Sequence, residues 1–306
     1  MKHFFLYLIT FLSIQWLFSS CHALVEDEFP DFAKVPVING ILQADSTFNI
    51  HVSFSANLSE SAPTPVENAQ VIVLGDNSSP DTLRYTQKGW YSSTRTVKAG
   101  ETYECIATIP GYLPLSARTT VPEPTEIDST IFTDLVGRSE DGVKVSSMEF
   151  RLKNKPDKAL FWDFSFKARG IKMEYDFDTK EESEEFRVWS GYFTMKAEQD
   201  SVFLYEPNPL QVFSNRKMTG NHHWVKFYFN EKNIYYRPGK DTVFIELRSI
   251  DQSLYDYQKQ LYVYGSGGGS VLGSAYQNYP LYSNIKNGLG VFSSFTVSRK
   301  DIEIKE

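Results

Sequence analysis

The feature that most constrains this chain is a two-residue alternation. In FNIHVSFSA, Phe48, Ile50, Val52 and Phe54 are apolar, and Asn49, His51, Ser53 and Ser55 are polar. Successive side chains of a strand point to opposite faces, so this pattern specifies a half-buried antiparallel strand. A helix would need apolar residues three and four apart. Further strands are expected at VPVINGILQ, AQVIVLG, TLRYT, TYECIATI and LSARTTV. Turn signals at Asp76-Asn77, Lys88-Gly89 and Lys98-Ala99-Gly100 separate them. Short strands punctuated in this way predict a β-sandwich of immunoglobulin-like or transthyretin-like type over residues 35–122.

A second, larger β-rich domain is expected over 123–306, joined to the first through the Pro-bearing acidic stretch VPEPTE at 121–126. In LFWDFSFKA, Leu160, Trp162, Phe164 and Phe166 form the inward face. Other strands are expected at VKVSSMEFRL, FRVWSGYFT, DSVFLY, WVKFYFN and DTVFIELRSI. Aromatic residues are 15% of the chain, and flat rings favour pleated faces. The run DTKEESEE, 178–185, reads as a solvated hairpin or loop. One short helix is expected near 252–264. Asp251 or Ser253 supplies its cap, Ser253 and Asp256 make a pair like a capping box, and Leu254, Tyr257 and Leu261 share a face before Gly265. The GSGGGS that follows lacks the strand-to-helix setting and the Lys of a phosphate loop, which argues against a nucleotide.

There are two cysteines, Cys21 and Cys105. Cys105 alternates with Tyr103, Ala107 and Ile109, so its place is the core face of a strand, as a small hydrophobe. A disulfide-stapled fold is not expected. Cys21 stands elsewhere, after a basic Met1-Lys2-His3 and an apolar run from Phe4 to Phe18. That run falls short of the roughly 20 apolar residues that span a bilayer and reads as a secretory signal, 1–20. An acidic tether follows, 21–34, with Glu26-Asp27-Glu28 and Asp31. The net charge of −7 argues against a nucleic-acid partner, since phosphate binding needs a basic surface.

Phe18-Ser19-Ser20-Cys21 resembles the bacterial lipobox, in which the signal is cut before a cysteine that is then acylated. Several acyl chains at Cys21 would restore the membrane attachment that cleavage removes, at about 0.8 kcal/mol per buried CH₂. The acids after it resemble the surface-export signal of Bacteroidota lipoproteins. Three further stretches carry a wider resemblance: VPVINGILQADSTFNIHVSFSANLSE with ENAQVIVLG, GWYSS with VKAGETYECIATIPGYLPLSARTTVPEP, and NYPLYSNIKNGLGVFSSF. Together they resemble the surface-lipoprotein family catalogued as domain of unknown function 4249. Asn284, Asn287, Gly288 and Gly290 form its signature loop. The AGETY and PGY turns are similar to those of carboxypeptidase-regulatory-like sandwiches, which are non-catalytic.

The resemblance implies a lipid-anchored outer-membrane protein facing the cell exterior, accessory to a TonB-dependent transporter. Its ligand is left open between peptide and glycan. Ser46, Thr82, Ser129, Ser201 and Thr242 each follow an Asp and match the Bacteroidota O-glycosylation pattern. The same dipeptides also start strands after turns. No catalytic motif, metal site or cofactor is expected. Neighbouring His222 and His223 on a strand would point to opposite faces and could not easily share a metal. The leading expectation is a non-catalytic surface lipoprotein. An adhesive or structural β-sandwich module and a hydrolase with dispersed carboxylates are the alternatives.

Overall fold

The computed structural model describes residues 33–56, 60, 62–175, 180, 182–230, 232–234, 237, 240–266 and 281–302. The fold is mainly β. The first half holds β1 (Pro36–Gln43), β2 (Thr47–Phe54), β3 (Gln70–Gly75), β4 (Asp81–Thr82), β5 (Arg84–Tyr85), β6 (Trp90–Thr96), β7 (Thr102–Thr108) and β8 (Leu115–Thr120). The second holds β9 (Ile127–Arg138), β10 (Lys144–Lys153), β11 (Phe161–Tyr175), β12 (Glu182–Ser190), β13 (Val212–Ser214), β14 (His222–Asn230), β15 (Thr242–Ile250), helix α1 (Gln252–Ser266) and β16 (Leu289–Ile302).

These strands make three sheets. The largest runs β12-β11-β15-β16-β1-β2-β6-β5, with β13 also paired to β11. The others are β14-β10-β9 and β4-β3-β7-β8. In the first half the four-stranded sheet faces β1 and β2 across one core, with Ile38, Ile50 and Val52 against Val71, Cys105 and Leu115. Cys105 is fully buried, and burial pushes its thiol up to about 12. The second core is rich in rings: Phe164 packs on Phe150, Phe193, Phe213 and Phe227. Trp162, Phe164 and Phe166 face it as their alternation predicts.

Strand β16 ties the halves together. Its first part pairs parallel to β1, from Val37↔Leu289 to Gln43↔Phe295. Its second part pairs antiparallel to β15, from Ile250↔Phe295 to Val243↔Ile302. Two backbones approach closely where this seam begins. Gly290 has φ +108°, and a Cβ there would lie 2.0 Å from the Ile38 carbonyl oxygen.

Several strands differ from expectation for local reasons. TLRYT is broken at the buried Leu83, because Thr82 pairs with β3 while Arg84 and Tyr85 pair with β6, in the opposite sheet. FRVWSGYFT stops being strand after Ser190. DSVFLY forms a single 3₁₀ turn at Phe203–Tyr205, with Asp200 Oδ1 accepting from the Val202 N–H. Only Val202 and Phe203 are buried there, so the burial does not alternate. Asp251 is the helix cap, its Oδ1 accepting from the Leu254 N–H at 2.8 Å. Ser253 accepts from Tyr282 and Asn284 instead. Leu254 is buried against Phe161 and Ile250, whereas Leu261 lies exposed.

Candidate functional site

A cleft of about 930 Å³ opens where the two cores meet. Its walls are the end of β8, the joint 121–126, the 155–160 turn and the start of α1. Each wall follows from a local preference of the chain. Pro122 and Pro124 keep the joint extended, because proline fixes φ and restricts the residue before it. Thr125 anchors that extended segment. Its hydroxyl accepts from Trp162 Nε1 at 2.9 Å and meets the Ser249 hydroxyl at 3.0 Å, and its N–H donates to the same Ser249 oxygen. Trp162 is fully buried beneath the floor. Pro122, Pro124, Leu160 and Phe161 give the cleft its apolar lining.

Charge is arranged unevenly around the rim. Lys153 donates to Glu126 at 2.5 Å and holds that carboxyl below the usual range. Arg118 pairs with Asp76 at 2.9 Å. The exposed side chains of Lys155 and Lys158 form no ion pair among the described residues, and Glu123 lines the same cleft. Asp251 sits deeper. Its Oδ2 accepts from the Thr119 hydroxyl at 2.6 Å, and its N–H donates to Ser294. Burial pushes its carboxyl up to about 6, against the downward pull of these donors. The arrangement suits non-covalent binding: polar edges and free ammonium groups stand over an apolar floor.

The sequence-derived site residues lie mostly elsewhere. Asn284 clamps β16, its Nδ2 donating to the Phe292 carbonyl at 2.7 Å and its Oδ1 accepting from the Phe292 N–H at 2.9 Å. Asn287, at φ +61°, donates to the Pro114 carbonyl. A Cβ on Gly288 would lie 2.4 Å from Leu115 Cδ2. The signature loop thus lies at the seam between halves, next to the cleft. Thr82 and Ser201 are exposed, while Ser46, Ser129 and Thr242 are half-buried. His223 bonds to Asp200 at 2.8 Å, whereas His222 lies 3.6 Å from Asp128. No group of three or more His, Cys, Asp or Glu among the described residues could hold a metal ion. Cys21, the signal at 1–20 and most of the tether lie outside the described residues, as do 267–270 of GSGGGS.

Sequence reasoning did not find the cleft. Its lining comes from separated segments, and no local pattern places the VPEPTE joint, the Leu160–Trp162 stretch and the Asp251 cap side by side. A search of curated proteins found no match. No helix among the described residues is long and apolar enough to cross a membrane. The profile of the family described as "Domain of unknown function (DUF4249)" matches residues 24–301, so the chain belongs to that family.

Proposed function

We propose that this chain is a non-catalytic surface lipoprotein of Bacteroidota type. A lipid at Cys21 holds it in the outer membrane, facing outward, and it serves a TonB-dependent transporter as a ligand-capture or lid subunit. The first half is then an immunoglobulin-like or transthyretin-like sandwich carried on the acidic tether. The observation that carries capture is the cleft between the two cores, whose size and apolar floor suit a bound ligand. Two of its three carboxylates are committed to structure, Glu126 by Lys153 and Asp251 by Thr119 and the helix start, which favours binding over hydrolysis by a carboxylate pair.

Cell fractionation of Cys21→Ala tests the anchor: the variant should leave the membrane fraction, and firm retention there would exclude it. An adhesive module is the second reading. It is favoured by the exposed Ile171, Phe186 and Val188 on the β11–β12 hairpin, where Ile171 and Phe186 stand opposite one another. Loss of cell-to-surface attachment on Phe186→Asp, with transporter association intact, would select that reading.

A further inference from the structure

Part of the β8 edge has no main-chain partner among the described residues, and it gives the cleft a chemistry of its own. Along an antiparallel strand, main-chain groups turn alternately toward one neighbour and the other. The β7–β8 ladder continues into Val121, whose N–H donates to Glu101 and whose carbonyl accepts from Gly100. The odd-numbered residues of β8 therefore bond to β7, and Ser116, Arg118 and Thr120 face away from it. Ser116 exchanges both of its bonds with Lys286. Arg118 and Thr120 have no main-chain partner among the described residues, and both line the cleft. Extending the bridge from Lys286 would bring Asn284 opposite Arg118. Asn284 instead spends its side chain on Phe292 and Ser253, so that segment leaves the edge of β8 open.

An unpaired strand edge inside a cleft selects an extended main chain, which offers donors and acceptors at the same spacing. A sugar would want an exposed ring to stack on, but Phe161 and Trp162, the rings that line the cleft, are both buried, and Trp162 Nε1 is taken by Thr125. Charge narrows the class further. Lys155 and Lys158, on the 155–160 turn, form no ion pair among the described residues, whereas Lys153 and Arg118 are already paired and the Glu123 carboxylate lies against Gly100. We propose that the cleft takes an extended acidic peptide, which adds as a strand to β8 at Arg118–Thr120 and sets its carboxylates toward Lys155 and Lys158. This inference rests on the capture reading above. The apolar floor receives the alternate side chains, as strand addition requires.

The test uses the full chain in detergent and a capped hexapeptide of alternating Glu and Val. It should bind, slow amide exchange across 115–120, and lose binding when its alternate amides are N-methylated. Lys155→Glu with Lys158→Glu should weaken it about ten-fold at low salt and favour a Lys–Val peptide instead. Binding that survives N-methylation, or protection that falls outside 115–120, would overturn the strand-addition assignment. No peptide binding by a protein that still co-purifies with a transporter would overturn this inference alone. Peptide binding by a protein that never co-purifies with one would overturn the transporter reading and leave this one standing.

Discussion

The two cores solve the same packing problem with different side chains. In the first, most buried residues are aliphatic, with Phe48, Tyr91, Tyr103 and Phe292 as the rings. In the second, Phe150, Trp162, Phe164, Phe166, Phe203, Phe213, Phe227 and Phe229 form a connected ring cluster. Aliphatic strands interlock by short, regular alternation. Rings reach further and let turns such as Phe203 fill the core beside strands. The joint and the cleft lie between these two kinds of packing, and β16 holds them in one sheet.

The largest expected effect breaks the seam itself. Gly290→Val forces a branched side chain into a left-handed position against Ile38. It should cost more than about 4 kcal/mol and split thermal unfolding into two transitions, as calorimetry can show. Phe227→Ala should cost about 3–5 kcal/mol in denaturant titration, because the ring touches Phe164, Phe166, Phe193 and Phe229. Asn284→Ala leaves the Phe292 N–H and carbonyl without their clamp and should cost about 1–3 kcal/mol. Ile50→Val, in the aliphatic core, should cost only about 0.5–1.5 kcal/mol. A loss above about 3 kcal/mol for this one methylene would show that the aliphatic core cannot relax around the gap.

Asp251 sharpens the comparison at the joint. Its folded pKa of about 6 lies above its ordinary 3.8, so the folded state binds the proton more tightly. Its contribution to stability is fully present below pH 3.8 and is lost as pH rises through about 6. Asp251→Asn keeps a capping side chain and removes this titration. Its stability relative to the parent should therefore rise between pH 4 and pH 7, measured by urea titration at each pH, by at most about 3 kcal/mol.

Legibility in the sequence follows the same division. Strands such as β2, β7 and β10 were legible because one face is wet and the period shows. Strand β16 carries FSSF near its centre, with Phe292, Ser293 and Ser294 all buried, so its polar residues hid it. Strand β9 was hidden in the opposite way, since most of its residues are exposed or half-buried and give no core face. The cleft was least legible. Arg118, Lys158 and Asp251 are far apart in sequence, and only the β11–β15 pairing, with β8 packed across the sheets against β16, brings their segments together. The signature asparagines were visible as turn formers, but their clamping of β16 depends on a register that no local pattern encodes.

A protein that works beside a transporter should be isolated with it. Affinity isolation of the tagged protein from outer membranes, followed by mass spectrometry, reads this out. A TonB-dependent transporter should be recovered with the parent chain and lost with Cys21→Ala, which no longer shares its membrane. Repeated recovery of the protein without any such transporter would contradict the account.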